Sequence, residues 1–245
     1  MKGVILAGNS GDRLYPLTKG VPKQLLPLYN KPMIYYPLDL LVNMGVRDIL
    51  IITTSAEQQS FRNYLGDGSD FAANISYAVQ DLPEGIAQAL IIAESFIGKD
   101  SICLTTGDTL LFGDEIKRVI RNAINGVDKS GKAAIIVSHD TYEDQYGVVV
   151  SNSDNTVSIQ GKPLDTGRYY SITGMYFYPN KAINLAKQLT PSDRGLLEIT
   201  ELNEIFHKQD KLQVEYLNTY CTWLDTNTFD NLLWASNYVA RNTQR

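Results

Sequence analysis

The feature that constrains the fold most is the alternation of strand and helix patterns through the first 140 residues. Strand-like runs that are apolar and rich in β-branched residues occur at 3–7, 48–54, 75–79, 101–106 and 133–138, and helical patterns lie between them at about 32–45, 55–65, 85–96 and 114–125. Strands that are apolar on both faces indicate a sheet covered on both sides. The sequence therefore predicts an α/β fold with a mostly parallel central sheet flanked by helices.

The second half of the chain has a β-rich pattern instead. The run "QYGVVVSNSDNTVSIQGKP" predicts a hairpin with its turn at 153–155, and "RYYSITGMYFYP" predicts a further strand. Helices are expected at about 180–188 and 198–208, then a strand near "LQVEYL" and a closing helix from about 228. With no linker between the halves, we expect one domain over 1–245, whose second half (about 141–245) forms a lid over the first (about 1–140).

Composition and charge exclude several classes of protein. Hydrophobic residues make up 44% of the chain and charged residues 20%, which is ordinary for a folded protein. The net charge of −5 disfavours a nucleic-acid partner. No apolar run is long enough to span a membrane, the N-terminus lacks a signal-peptide pattern, and the two cysteines lack metal-ligand spacing. These features predict a cytoplasmic protein with reduced cysteines.

A long loop after the first strand, "LAGNSGDRLYPLTKGVPKQLLP" (6–27), combines glycines with basic side chains. Gly8 and Gly11 allow a ligand to approach the backbone closely, and Arg13 and Lys23 can supply charge to anionic oxygens. Neither the GxxxxGK[ST] nor the GxGxxG pattern is present. From the residues alone, phosphate binding and an ordinary surface loop both stay open.

Two aspartates follow strand-like runs. Asp108 in "TGDTLLFG" and Asp225 in "WLDTNTF" would lie at strand ends, where ligands of parallel sheets bind. A carboxylate in that position can hold Mg²⁺. The alternatives are a turn at Asp108 and a helix cap from Thr226 or Thr228 near Asp225. Both interpretations stay open at each position.

Lys162 and Arg194 are further cations near the ends of predicted elements. A phosphate-binding role and a solvated surface charge are both compatible with Arg194. His139 and His207 have no partner at metal-ligand spacing, and we expect them to be surface or packing residues. No nucleophile motif is present, so covalent hydrolysis has no support.

With these segments in place, the chain resembles the sugar-1-phosphate nucleotidylyltransferases, most closely their glucose-1-phosphate thymidylyltransferase branch. The resemblance begins with the N-terminal segment "KGVILAGNSGDRLYPLTKGVPKQLLPLYNKPMIYYPL". It continues through "YLGDGSDF", "QDLPEGIAQAL", "TGDTLLFG", "YGVVV", "GKP", "SITGMYFY", "RGLLEIT" and "WLDT". Several motifs in the same order along nearly the whole chain make the resemblance specific.

The resemblance implies a Rossmann-like fold of the nucleotide-diphospho-sugar transferase type, and a role for each matching position. Arg13, Lys23 and Asp108 would be catalytic, and Asp108 and Asp225 would hold Mg²⁺. The nucleotide would be bound by Gly8, Asn9, Ser10, Gly11, Gln80 and Gly85. The sugar phosphate would be bound by Gly147, Lys162, Gly174, Tyr176, Arg194 and Trp223.

The implied reaction is in-line attack of a sugar 1-phosphate oxygen on the α-phosphorus of dTTP, or of UTP, with release of pyrophosphate. Glucose 1-phosphate is the default sugar. Such chemistry needs no protein nucleophile, because it depends on positioning two anions and neutralising their charge. The resemblance also implies a homo-oligomer, a dimer or a tetramer.

The chain departs from the family pattern at functional positions. The departures are Asn9 for a glycine, Asp12 for a small uncharged residue, Thr109 in "GDT" for "GDN", Gly161 and Leu196 for glutamates, and Asn227 and Phe229 in "WLDTNTF" for "WLDTGTH". A carboxylate next to a triphosphate costs roughly 1–4 kcal/mol. These departures motivate an alternative hypothesis: a catalytically impaired homologue that binds nucleotide or nucleotide-sugar, or regulates an active one.

Overall fold

A computed structural model describes residues 1–8, 11–139, 147–151, 157–161 and 168–243. The strands are β1 (Lys2–Leu6), β2 (Pro27–Leu28), β3 (Lys31–Pro32), β4 (Asp48–Thr53), β5 (Asn74–Val79), β6 (Ile102–Thr106), β7 (Leu110–Phe112), β8 (Ala133–Ser138), β9 (Val148–Ser151), β10 (Val157–Gln160), β11 (Arg168–Tyr178), β12 (Leu212–Tyr216) and β13 (Thr222–Leu224). The α-helices are α1 (Tyr35–Asn43), α2 (Gln58–Leu65), α3 (Gln88–Ile92), α4 (Glu94–Ile97), α5 (Ile116–Ser130), α6 (Ala182–Ala186), α7 (Ile199–Lys208) and α8 (Phe229–Thr243). Single-turn 3-10 helices lie at Asp12–Leu14, Lys23–Leu25 and Ser69–Phe71.

The predicted strands and most of the predicted helices are found near their expected positions. The helix expected at 85–96 begins later, at Gln88, and is interrupted at Ala93. Gly85 has φ 102°, which is incompatible with a right-handed helix, so the helix cannot start there. The helix expected at 114–125 extends to Ser130, and Gly131 ends it with φ 61°. The turn predicted at 153–155 lies outside the described residues.

The chain divides into two compact units. The parallel unit consists of Gly3–Pro83, Thr105–Leu111 and Leu224–Arg245, and the antiparallel unit of Met1–Lys2, Glu84–Leu104 and Phe112–Trp223. These segments interleave along the sequence. The single domain expected over 1–245 remains a prediction.

The parallel unit is built on β1, β4 and β5. β1 pairs with β4, and β4 with β5, both in parallel register. Apolar residues of β1 and β4 are fully buried, including Val4, Ile5, Ile49 and Ile51. This burial on both faces is the reason these strands read as continuous apolar runs. The arrangement brings the carboxyl ends of the three strands to one edge.

The antiparallel unit contains β9 paired with β10 and with β11, and β11 paired with β8, all antiparallel. β12 adds to β8 in parallel register. The amphipathic helix α5 packs on β8 and β12 with buried residues at the spacing of one helix face, Ile116, Val119, Ile120, Ala123 and Val127. Gly174, with φ 86°, lies where the β11–β8 register shifts.

Both cysteines are free thiols and are buried. Burial raises the pKa of the Cys103 thiol, and burial also raises that of Cys221. Among the described residues, no helix is both long and apolar enough to cross a membrane.

Candidate active site

The carboxyl ends of β1, β4, β5 and β6 meet within the parallel unit. Three backbone hydrogen bonds join the segments that leave these strands: Ala7 N–H to Ile52 O (2.7 Å), Gln80 N–H to Thr53 O (2.8 Å) and Gly107 N–H to Leu6 O (2.9 Å). Gly8, Gln80 and Asp108 follow directly after their strands, so the fold places them along the same edge. Ligands of parallel sheets bind at this edge.

The loop after β1 is shaped by Gly11, whose φ is 63°. A Cβ at this position would lie 2.9 Å from the Thr18 methyl group and 3.0 Å from the Lys23 Cβ, so only glycine fits. The Thr18 hydroxyl donates to the Gly11 carbonyl over 3.1 Å and closes the loop. Asn9 and Ser10, two of the predicted nucleotide-binding residues, lie outside the described residues.

Asp12 and Arg13 form the start of the 3-10 helix Asp12–Leu14, and both are exposed. The carboxylate of Asp12 is therefore hydrated, which places its repulsion of a nearby anion toward the lower, water-like end of the expected range. Arg13 extends from the same loop and is accessible to a ligand.

Lys23 is the most unusual side chain of this edge, because its ammonium group is buried. Its side chain is 1% exposed, and its Nζ donates to Asp108 Oδ2 over 2.6 Å and to Asn227 Oδ1 over 2.6 Å. Asp108 retains 17% exposure. A buried cation needs such partners, since removing a charge from water without pairing it is costly. The sequence prediction named Lys23 and Asp108 separately, and the structure shows them as an ion pair.

The environment of Asp108 favours its charged form. Burial raises the pKa of the carboxyl, but the charge of Lys23 and hydrogen bonds from Lys23 and Thr106 outweigh this effect, so the pKa lies below its ordinary value. The Thr106 and Thr109 hydroxyls lie 2.8 Å apart and hydrogen-bond to each other. Thr109, one of the departures from the family pattern, thus supports a residue that contacts Asp108.

Asp225 is 2% exposed and is held by two asparagines. Its Oδ1 accepts from the Asn227 backbone N–H over 3.1 Å and from Asn227 Nδ2 over 2.7 Å. Its Oδ2 accepts from Asn231 Nδ2 over 2.6 Å. Thr228 caps α8, because its hydroxyl accepts from the Asn231 N–H over 3.1 Å. The helix-cap interpretation is therefore correct for Thr228, and Asp225 lies before the cap as a separate buried carboxylate.

The side chains Asp108, Lys23, Asn227, Asp225 and Asn231 form one continuous hydrogen-bonded chain, which we call the carboxylate network. It fits a divalent cation in its donor chemistry, since carboxylate and amide oxygens are the ligands that Mg²⁺ prefers. The Lys23 ammonium already occupies a position between two of these oxygens. The described residues contain no cluster of three or more His, Cys, Asp or Glu suited to a metal ion.

Gln24 is a candidate that the sequence interpretation missed. It is 1% exposed, and its Oε1 has no hydrogen-bond partner in the described ranges, from which residues 9 and 10 of the same loop are missing. Its side chain lies against Gly107, where a Cβ would approach Gln24 Cγ to 3.0 Å. A buried, unpaired amide oxygen next to Lys23 is a site for a ligand donor. The signal was present in "PKQLLP", where two polar residues interrupt an apolar stretch.

In the antiparallel unit, Gly85 adopts φ 102° beside Leu197. A Cβ at Gly85 would come within 2.3 Å of the Leu197 carbonyl oxygen, so no other residue fits without movement of the backbone. The Leu197 N–H donates to the Glu84 carbonyl over 2.7 Å and fixes the two segments together. The glycine is thus required by packing, and a role near the base remains a prediction.

The predicted sugar-binding residues also belong to the antiparallel unit. Tyr176 and Trp223 are buried, and Gly174 lies in the interior of β11. Arg194 is 67% exposed and forms a 2.9 Å ion pair with Glu198. Lys162 lies outside the described residues. The contacts described for these side chains do not test whether they bind a sugar phosphate, so this role stays a prediction.

Gly147 and Gly161 bracket this region. Gly147 is constrained, because a Cβ there would lie 2.4 Å from the Thr200 methyl group. Gly161 is exposed, and a Cβ added to it would meet no atom of a described residue within 4 Å.

One face of β9, β10 and β11 carries buried polar atoms that are not hydrogen-bonded to any described residue. Ser171 and Gln160 both pair with Val148, and Tyr169 lies two residues from Ser171, so the three share a face. Gln160 Oε1, Tyr169 OH and Ser171 Oγ are buried and have no hydrogen-bond partner among the residues that the structure describes.

The fold is a mixed α/β fold with a mostly parallel central sheet flanked by helices, and the carboxylate network lies at the edge of the parallel strands. Comparison with known proteins gives the family. Nucleotidyl transferases match residues 2–242, and the chain belongs to this family. Nucleotidyl transferases of this kind are generally dependent on a divalent metal.

Individual relatives are similar along almost the whole chain. A glucose-1-phosphate thymidylyltransferase of Neisseria meningitidis serogroup A / serotype 4A is 47% identical over 240 residues, which cover 98% of this chain and 82% of that protein. The Mycolicibacterium smegmatis protein of the same name is 46% identical, with the same coverage. The resemblance seen in the motifs is confirmed.

Solved structures confirm the predicted fold class. A Bacillus anthracis structure, described as a glucose-1-phosphate thymidylyltransferase in complex with sucrose, matches with a TM-score of 0.87 and 34% identity over 97% of this chain and 94% of that one. A UDP-glucose pyrophosphorylase complexed with UDP-glucose matches with a TM-score of 0.83 at 18% identity over 98% of both chains, which speaks to the fold alone.

Proposed function

We propose that this protein transfers a thymidylyl group from dTTP to glucose 1-phosphate, giving dTDP-glucose and pyrophosphate. The observation that carries the proposal is the carboxylate network at the sheet edge. There the buried Asp225, the partly buried Asp108 and the buried Lys23 are linked beside a loop that is shaped by Gly11. The names and identities of the relatives support the choice of substrates.

The reaction is an in-line displacement at phosphorus. A phosphate oxygen of the sugar 1-phosphate attacks the α-phosphorus of dTTP, a new P–O bond forms, and the bond to pyrophosphate breaks. The protein has to position both anions and neutralise the charge that develops. Arg13 is exposed on the loop and can contact the α-phosphate and the leaving pyrophosphate, and Lys23 assists from the buried side.

Asp108 and Asp225 would hold Mg²⁺. The ion would offset phosphate charge when bound. Asn227 and Asn231 fix the orientation of Asp225, and Lys23 and Thr106 keep Asp108 ionised, so both carboxylates are prepared as ligands.

The remaining residues supply substrate recognition. In the parallel unit, Gln80 follows β5 as a buried amide that can read a pyrimidine edge, and Gln24 offers a second buried amide. We assign the nucleotide to Gly8, Asn9, Ser10, Gly11, Gln80 and Gly85. We assign the sugar phosphate to Gly147, Lys162, Gly174, Tyr176, Arg194 and Trp223.

Pyrophosphate release tests the proposal, with dTTP and UTP each combined with a panel of sugar 1-phosphates. We expect the highest kcat/KM for dTTP with glucose 1-phosphate, dependence on added Mg²⁺, and loss of turnover in Asp225→Asn. Folding of the variant is checked by circular dichroism. Absence of turnover with every pair, in folded wild-type protein with Mg²⁺, would refute the enzymatic function.

A second candidate is a homologue that binds nucleotide or nucleotide-sugar without turnover. The observation that favours it concerns Asp225, the carboxylate that would hold the metal ion. Asp225 accepts three hydrogen bonds from amide groups of Asn227 and Asn231, and these donors occupy the oxygens that a metal ion would need. Calorimetric binding of dTTP or dTDP-glucose without pyrophosphate release would support this candidate.

Three further properties belong to the same proposal. We infer a homo-oligomer, a dimer or tetramer, and a cytoplasmic location, both by analogy with the family. We also infer a preference for dTTP over UTP, which the substrate panel measures.

A further inference from the structure

The Lys23 ammonium lies where the site concentrates negative charge. Its Nζ is 2.6 Å from both Asp108 Oδ2 and Asn227 Oδ1, and the side chain is 1% exposed. A lysine that served only to bind phosphate would point its ammonium toward the accessible loop. Here the ammonium instead neutralises a carboxylate that the proposed function assigns to a metal ion.

Asn227 links this ion pair to the second carboxylate. Its amide oxygen accepts from Lys23, while its amide nitrogen donates to Asp225 Oδ1 over 2.7 Å. A single planar amide therefore fixes two groups of opposite charge. Because the amide is neutral, it connects Lys23 to Asp225 without adding charge, whereas direct contact of Lys23 with both aspartates would hold the ammonium more tightly.

A lysine cation and a divalent cation cannot both occupy the same side of Asp108. Two cations at contact distance repel each other, and this repulsion is strong at a site that is largely removed from water. Lys23 must therefore move away from Asp108 when a divalent cation binds there. The four-carbon side chain of lysine permits such a movement.

We propose that Lys23 acts as an internal counter-ion of Asp108 in the metal-free protein, and that Asn227 is the positioning residue that holds it there. Metal binding then displaces the ammonium from Asp108 and makes it available to an anionic substrate. The inference rests on the proposed function and assigns to Asn227, a departure from the family pattern, a part in ordering metal and triphosphate binding.

The inference predicts the effect of each side chain on metal affinity in the absence of nucleotide. Loss of Lys23 removes the competing cation, so the metal should bind more tightly. Loss of the Asn227 side chain removes both the hydrogen bond that retains Lys23 and a donor that occupies Asp225, so affinity should again rise, by a smaller factor. A merely structural role for either residue predicts weaker metal binding, because the ligands would become disordered.

Mn²⁺ binding without nucleotide provides the test, measured by electron paramagnetic resonance of the free ion. We expect Lys23→Met to bind Mn²⁺ about tenfold or more tightly than wild type, and Asn227→Ala about two- to tenfold more tightly. Lys23→Arg keeps the charge and should stay near wild type. Lys31→Met is the charge-matched control, because Lys31 pairs with Asp39 elsewhere in the same unit, and its affinity should change less than about twofold.

Thermal unfolding is the second measurement, because Lys23→Met leaves Asp108 without its partner. Saturating Mn²⁺ should raise the Tm of Lys23→Met by more than it raises that of wild type, since tighter binding to the native state stabilises it more. Unchanged or weaker Mn²⁺ affinity in both Lys23→Met and Asn227→Ala would overturn the inference, as would a lack of Mn²⁺ binding in every variant. Pyrophosphate release by wild type, measured separately, shows whether the proposed function stands when this inference fails.

Discussion

The two units treat their buried polar side chains differently. In the parallel unit, Lys23, Asp108 and Asp225 are largely or fully buried, and each is held by short hydrogen bonds. In the antiparallel unit, one buried atom each of Gln160, Tyr169 and Ser171 finds no hydrogen-bond partner within the described part of the chain. The contrast concerns the charged groups of the parallel unit, which are paired, and the neutral groups on one face of the antiparallel unit, which are not. It is not absolute, because Gln24 Oε1 of the parallel unit also lacks a partner among the described residues, whereas the Thr173 hydroxyl of the antiparallel unit has one.

The difference shows which region of the fold is preorganised. A satisfied network holds its groups in one geometry and gains strength from the low local dielectric, whereas an unpaired buried group carries a desolvation cost. We infer that catalytic charges are arranged before substrate arrives in the parallel unit. Variants in both units can test this contrast, and their expected effects run from large to small.

The largest effect is expected for Arg13→Ala. In the proposed function Arg13 stabilises charge on the transferred nucleotidyl group, so its removal should lower kcat/KM by about 10³-fold or more. Arg47→Ala is the matched control, because Arg47 is an arginine of the same unit whose guanidinium donates to the Ala72 carbonyl. Equal losses of kcat/KM in the two variants would show that Arg13 acts only through its contribution to the overall positive charge, and not through a specific contact with the substrate.

Lys23→Met tests the satisfied network through stability. Breaking a buried ion pair by removing one partner costs about 3–5 kcal/mol, so urea unfolding in chelator-treated buffer should show a decrease of that size in the free energy of unfolding. Lys31→Met breaks a partly exposed pair with Asp39 and should cost about 0–1 kcal/mol. Similar costs for both would mean that the network at Asp108 is not preorganised.

Gly85→Ala tests a backbone constraint in the antiparallel unit. Its φ of 102° and the 2.3 Å approach of a Cβ to the Leu197 carbonyl predict a loss of stability. The strained backbone alone should cost about 1–3 kcal/mol. Gly20→Ala, where no atom lies within 4 Å of the added Cβ, should be neutral or slightly stabilising. Thermal unfolding of the two variants measures the difference in stability. An unchanged Tm in Gly85→Ala would contradict the backbone conformation described for this loop.

The smallest effect is expected for Ser171→Ala. Its hydroxyl is buried and makes no hydrogen bond to a described residue, so removing it should change the free energy of unfolding by less than about 0.5 kcal/mol or increase it. Thr173→Val is the comparison, because the Thr173 hydroxyl donates to the Ile136 carbonyl over 3.1 Å and its loss should cost about 1 kcal/mol. If Ser171→Ala were the more costly of the two, the hydroxyl would have a partner in solution.

Much of the fold follows from the sequence, because apolar periodicity reports burial directly. The runs that become β1, β4 and β8 are apolar on both faces, whereas β5 is buried only at Ile75. All four strands are found within one or two residues of their expected bounds. The predicted start of the helix at 85–96 is wrong, because Gly85 adopts a positive φ that the apolar periodicity does not reveal.

The candidate site was less predictable for a different reason. Asp108, Asp225 and Lys23 each carried a local signal, but 85 residues separate Lys23 from Asp108, and 204 separate it from Asn227. The sequence does not reveal contacts over such separations, so it identifies Asn227 only as a departure from the family pattern. Its function in linking Lys23 to Asp225 required the geometry.

The central claim is that the carboxylate network supports nucleotidyl transfer. The most direct measurement is mass-spectrometric detection of dTDP-glucose after incubation of the protein with dTTP, glucose 1-phosphate and Mg²⁺, alongside folded Asp108→Asn. The account predicts product with wild type, and a yield lower by about 10²-fold or more with the variant. Absence of product with wild type, or equal product with both proteins, would contradict it.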